Sequence, residues 1–224
     1  MNFSETPITL VILAITVLAS FVAFNNKELK SKWLFNPYLV KEHNQWYRTF
    51  AHAFIHSDYM HLGFNMYVFY GFGITLEHVF TDPGLWTMTF PEIPFWGVLK
   101  GRIIYTLLYV GGFLYAVVPA MRKHSMNPGY NSLGASGAVS AILLAYIVLF
   151  PLNTLYLMFI PFPIPAIAVG IGLFIYEAYM NKIGGTGIAH DAHISGAIYG
   201  IVFMLAVNYK FMAHFISEIS SFFY

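Results

Sequence analysis

Three short clusters hold the residues whose types and spacing can do chemistry. The first runs His56-Ser57-Asp58-Tyr59-Met60-His61-Leu62-Gly63-Phe64-Asn65. His61 and Asn65 are four apart, so on a helix they share a face, and both side chains can donate hydrogen bonds. His56 lies just ahead of them. The second cluster is Gly134-Ala135-Ser136-Gly137. A serine hydroxyl becomes a nucleophile once a base takes its proton, and small neighbours let a second backbone or a ligand come close. The third is Ala192-His193-Ile194-Ser195-Gly196-Ala197-Ile198-Tyr199-Gly200. Gly196 and Gly200 form a G-x-x-x-G face, and His193 lies one turn earlier on roughly that face. A close helix contact made there carries a histidine into it. If the partner is the helix of Ser136, base and nucleophile meet.

Each cluster also has a plain structural reading. The histidines can be interfacial and Asn65 a satisfied buried amide. Gly134 to Gly137 can be a packing patch with Ser136 bonded to its own helix. On the residues alone, both readings stay open.

The elements that must carry these residues follow from composition. The chain has 224 residues, 58% hydrophobic and only 9% charged. A soluble domain carries about 25% charged residues, so this chain lacks the polar cover for water and suits lipid. A net charge of +1 gives no electrostatic case for nucleic acid. Cysteine is absent, which excludes disulfides, thiolate zinc sites and a cysteine nucleophile.

Predominantly apolar runs of roughly 20 residues read as membrane spans. They predict an all-α membrane protein, a single domain over 1–224, with six spans at about 7–24, 59–80, 102–121, 134–150, 165–181 and 189–208. The first run lacks a preceding basic residue and a following cleavage site, so it reads as a retained span. Residues 25–58 mix Lys27, Lys30, Lys32, Lys41 and Arg48 with Trp33, Phe35, Tyr38, Trp46 and Tyr47, which suits the membrane interface. Residues 81–100 carry Pro83, Pro91 and Pro94 and read as an apolar interfacial loop. An irregular loop is expected over 151–164, a glycine-rich connection at Gly184, Gly185 and Gly187, and an interfacial tail.

In this order and on these spans, the clusters resemble the pattern of the rhomboid family of intramembrane serine proteases. The matching elements are H-x-x-x-x-H-x-x-x-N, G-x-S-G and A-H-x-x-G-x-x-x-G. Trp46-Tyr47-Arg48 resembles the family's W-R signature with Tyr47 interposed. The likeness runs over about residues 10 to 208. It implies a six-helix rhomboid-like bundle with an interfacial first loop, and a Ser136–His193 dyad without metal or cofactor. The resemblance assigns oxyanion donation to Asn65, His61 and the Ser136 backbone N–H. It gives His56 a supporting role and makes Gly134 and Gly137 points of close approach. It implies single-span membrane proteins as substrates, cut where the helix unwinds, with small residues around the cleaved bond. Span five and residues 182–188 would gate access.

Two departures accompany the likeness: the loop between spans two and three is longer than expected, and an expected aromatic is missing. Many rhomboids carry an aromatic four residues after the nucleophile, stacked on the histidine; here it is Ser140. Ser140, Tyr199 and Tyr146 are the candidates for orienting His193. No acidic residue is assigned as a third member, since Asp191, two residues from His193, faces away from it on a helix.

The expected location is integral and multi-pass, in a bacterial plasma membrane. Lysines and arginines concentrate after spans one, three and five. The positive-inside rule then puts the site's mouth on the cytoplasmic side, whereas the resemblance implies the outside. Two rivals stand: a metal carrier using His190, Asp191 and His193 with His56 and His61 as a second site, and a catalytically inactive rhomboid-like binding module.

Overall fold

Helix follows helix along nearly the whole chain. The structure, a computed structural model, describes residues 5–156 and 162–223. Helix α1 (Pro7–Asn25) carries no charged residue and opens on a proline, where the missing N–H costs nothing. The first loop then folds into three short helices: α2 (Lys27–Trp33) and α3 (Pro37–His43), capped by Asn26 and Asn36, and α4 (Arg48–Ala51). A 3-10 turn, His52–Phe54, leads to α5 (Tyr59–Thr81), capped by Asp58. Next come α6 (Pro83–Thr89), α7 (Val98–Ala116), α8 (Val118–His124) and α9 (Ser136–Leu149). The loop expected over 151–164 includes residues 157–161, which lie outside the described residues. Flanking them, β1 (Thr154–Leu155) pairs antiparallel with β2 (Ile164–Pro165). The chain closes with α10 (Ala166–Ile183), α11 (His190–Val207) and α12 (Lys210–Ser221).

Among the described residues, four helical runs are long and apolar enough to cross a membrane: Pro7–Asn25, Val98–His124, Ala166–Ile183 and His190–Val207. The expected count of six therefore rests on two further helices. Helix α5 has the length, 23 residues, but it carries His61, Asn65, Glu77 and His78. Helix α9 is apolar but only 14 residues long, about 21 Å at 1.5 Å per residue. It falls short because the residues just before Ser136 form a non-helical turn, with Gly134 at φ +116°. From Gly137 to Leu149 every residue of α9 is buried, so this helix is the axis around which α5, α7 and α11 pack.

The contact between α9 and α11 is made through backbone. A Cβ on Gly196 would strike the Gly137 carbonyl, and one on Gly200 would strike the Ala141 carbonyl. The G-x-x-x-G face thus removes side chains from the interface and lets the two helices touch. Gly196→Ala is expected to force them apart, at roughly 1–3 kcal/mol, as overpacking typically costs. Thermal unfolding in detergent measures this, and an unchanged melting temperature would contradict the contact.

The first loop is a folded element rather than a connector. Arg48 is buried, and its guanidinium donates to the Ser31 carbonyl at 2.9 Å, the Leu34 carbonyl at 2.8 Å and Gln45 Oε1 at 2.6 Å. Lys30 donates to the Ser57 carbonyl at 2.8 Å. These cations serve local structure, which weakens their weight as topology signals.

Residues 81–100 differ from the loop expected of them. Pro83 sits at the start of α6, behind the Asp82 cap, where proline is tolerated. Trp86 and Phe90 are buried, and the indole N–H of Trp86 donates to the Ile93 carbonyl at 2.7 Å. The segment is a small aromatic core, with Trp86 and Trp96 ring centroids 4.1 Å apart. Nearby, buried Glu77 accepts from the N–H groups of Ile8 at 2.9 Å and Thr9 at 2.7 Å. A carboxylate on the unpaired amides of a helix start ties α1 to α5.

Candidate active site

The turn before α9 is held from three sides. Gly134 has φ +116°, a conformation side chains resist, and an added Cβ would meet the His61 ring at 2.9 Å. Its N–H donates to the His52 carbonyl at 2.9 Å. The N–H of Ala135 donates to His56 Nε2 at 3.4 Å. That leaves the His56 proton on Nδ1, directed at Ser20 Oγ 3.0 Å away on α1. His56 therefore anchors the turn of the nucleophile candidate to the first helix. Ser136 is the first residue of α9, so its N–H belongs to the helix-start amides that have no partner within the helix.

His193 stands one turn into α11, and its Nε2 lies 2.8 Å from Ser136 Oγ. The separation suits proton transfer between them. The other ring nitrogen, Nδ1, lies 3.0 Å from Glu177 Oε1 on α10. This corrects the expectation that no acidic residue attends the histidine. Glu177 is 16 positions away and on another helix, so no spacing along α11 could reveal it. The available signal was a lone carboxylate inside a predicted span, which is costly unless it has a task. Asp191 does face away and pairs with Lys123 at 2.9 Å.

The chain of bonds continues past Glu177. Its Oε2 accepts from His190 Nδ1 at 2.5 Å, and His190 Nε2 lies 2.9 Å from Thr186 Oγ1. One carboxylate thus serves two imidazoles. Ser140, Tyr199 and Tyr146 do not orient the ring. Tyr199 donates to the Leu107 carbonyl, and Tyr146 accepts from Asn153. Ser140 only lines a small cleft beside His193 with Leu144, Leu173 and Glu177. The carboxylate takes over what an aromatic would do by stacking.

His61 and Asn65 lie across the turn on α5. The Asn65 amide is buried and gives one hydrogen to the His61 carbonyl at 2.9 Å, leaving a second hydrogen to donate. His61 Nδ1 is 3.0 Å from Ser57 Oγ, whose single proton goes to Asp58 Oδ2 at 2.6 Å. In that arrangement Nδ1 carries the imidazole proton. His61 can donate from Nε2 only as imidazolium, or after Ser57 turns its proton toward Nδ1. Of the metal-carrier ligands considered, Asp191 is removed to Lys123. Glu177 takes its place beside His190 and His193, with ligand atoms all within 4.8 Å. His56 has both nitrogens engaged.

Two histidines of the first loop give the fold a pH dependence. Burial holds His52 down to about 4 from its ordinary 6.5, although its Nδ1 lies 3.0 Å from the Arg48 carbonyl. Burial, with His61 nearby, holds His56 down to about 3. Between pH 6.5 and these values the unfolded chain binds protons that the folded one refuses, so stability rises with pH there and is lost on acidification. For His52 the loss is on the order of 3 kcal/mol between pH 6.5 and 4. Melting temperatures in detergent should fall across this window. His52→Asn, whose amide nitrogen can occupy the Nδ1 position, should flatten the slope; an identical slope would contradict this assignment.

A family model described as the Rhomboid domain matches residues 43–210. A curated Arabidopsis thaliana protein, RHOMBOID-like protein 12, mitochondrial, is 29% identical over 196 residues, covering 84% of this chain and 55% of the relative. The chain therefore spans about half the length of the curated relative it matches. That relative is a plant mitochondrial protein by name, so the expected bacterial plasma membrane finds no support.

Proposed function

This chain belongs to the rhomboid family of multi-pass membrane proteins, and from that premise we propose that it is an intramembrane serine endopeptidase. The observation that carries this reading is the Ser136 Oγ–His193 Nε2 separation of 2.8 Å, with His193 Nδ1 held by Glu177. Ser136 Oγ attacks the carbonyl carbon of a peptide bond while its proton passes to His193 Nε2. Glu177 stabilises the imidazolium that forms, as a carboxylate on the far nitrogen does in serine hydrolases. The oxyanion receives the Ser136 N–H and the remaining Asn65 amide hydrogen, with His61 as a further donor in its Nε2–H form. His193 then returns the proton to the leaving amine, and water, activated by the same imidazole, releases the acyl group from Ser136.

The substrates are single-span membrane proteins, cut where the helix opens, because a bond inside an intact helix is shielded and already hydrogen-bonded. Access lies on the side of α10 and the loop at Gly184, Gly185 and Gly187. The six-span arrangement and the single-domain extent belong to this same reading.

A serine-directed fluorophosphonate tests the nucleophile without knowledge of the substrate. Wild type should be labelled in detergent, whereas Ser136→Ala and His193→Ala should not. Equal labelling of Ser136→Ala would end the reading. A metal carrier, by contrast, would tolerate the loss of Ser136.

A further inference from the structure

We propose that Glu177, His190 and His193 form an inhibitory site for a divalent metal ion of the zinc type. The proposal concerns regulation of the active site described above and rests on that reading only for its consequence, not for the binding. Two imidazoles and one carboxylate are a ligand set that zinc takes readily. Here they come from two helices and converge, with one nitrogen of each histidine and a Glu177 oxygen within 4.8 Å of one another, and Nδ1 is the nitrogen that each ring turns to Glu177. Ligand atoms around tetrahedral zinc stand about 3.4 Å apart, from bond lengths near 2.1 Å. The carboxylate now touches His190 at 2.5 Å and His193 at 3.0 Å. Small rotations of Glu177 would admit an ion between the three.

A second, independent observation concerns the far side of each ring. A histidine that binds metal through one nitrogen almost always donates its other N–H to a fixed acceptor. Both acceptors are already in place: Thr186 Oγ1 at 2.9 Å from His190 Nε2, and Ser136 Oγ at 2.8 Å from His193 Nε2. Glu177 and His190 are themselves buried, so the site is shielded from bulk water, and a single water can supply a fourth ligand.

The consequence follows from the proton count. Neutral His193 carries one ring proton. A metal on Nδ1 sends that proton to Nε2, where it points at Ser136 Oγ. The ring then donates to the serine and can no longer accept from it. The ion would also staple α10 to α11. The same three groups therefore either orient a general base or hold a metal, and not both at once.

The test uses tag-free protein in detergent with Zn²⁺ as the probe. Wild-type protein should retain one zinc per chain against a chromophoric chelator. His190→Ala and Glu177→Gln should each weaken retention at least tenfold, while His61→Ala should not. Co²⁺ should give the visible spectrum of a four-coordinate nitrogen–oxygen site in wild type, a direct readout that needs no variant. With wild type, zinc should block cleavage and labelling, and a chelator should restore both. Failure of wild type to hold one zinc, or retention that survives His190→Ala in folded protein, would overturn the proposal. Stoichiometric zinc in a chain that never cleaves would uphold the site and overturn the protease reading instead.

Discussion

Ser136→Ala and His193→Ala should each reduce cleavage of a model transmembrane substrate to background, a fall in kcat of about 10⁴–10⁶-fold by analogy with serine hydrolases. The size of the effect follows from the roles. Without Oγ there is no acyl intermediate. Without Nε2, 2.8 Å away, the hydroxyl keeps its proton and is a poor nucleophile. Because the two act as one unit, the double variant should be hardly worse than either single one. Substrate binding should survive, since neither side chain is needed to hold a helix against α10 and α11. Single-turnover cleavage in detergent, with binding followed separately, checks all three statements. If the double variant fell well below both singles, the residues would be acting independently, against the geometry.

Glu177→Gln should lower kcat by about 10²–10⁴-fold, a scale set by carboxylate-to-amide changes beside a catalytic histidine, while KM moves little. The amide has no charge to offset imidazolium, and its N–H₂ end can donate to Nδ1. Donation there forces the ring proton onto Nε2, the wrong side for a base. Glu177→Asp, which keeps the charge on a shorter arm, should recover part of the rate. A purely structural carboxylate would behave differently: its loss would lower the amount of folded protein but leave the labelling rate of Ser136 in the folded fraction unchanged. A threefold or smaller change in both kcat and labelling rate for Glu177→Gln would remove Glu177 from the chemistry.

How far the sequence reached can be judged on particular residues. Ser136 and His193 were legible because small residues accompany each, and small residues mark where membrane helices touch. The contact of Gly196 with Gly137 brings the two reactive side chains together. Glu177 was not legible as a partner, because cross-helix contact leaves no trace in spacing, and periodicity on α11 could only exclude Asp191. The segment at 81–100 misled for a local reason. Proline content argues against helix, yet Pro83 at a helix start does no harm. The hydrogen-bond direction at His61 was equally out of reach, since it depends on where Ser57 sends one proton.

The shortness of α9 sets a depth. A bilayer's apolar layer is about 30 Å thick, and α9, at 14 residues, accounts for about 21 Å of it. Under the six-span protease reading, with α9 upright and its Leu149 end at one boundary, Ser136 would lie about 9 Å below the other. A substrate segment advances about 1.5 Å per residue as helix and about 3.3 Å where it is opened, so this distance corresponds to about three to six residues. Under the protease reading, α9 then works as a ruler. Cut positions in different substrates should cluster at a constant count from the membrane boundary, and inserting residues on the near side should move the cut by the same number.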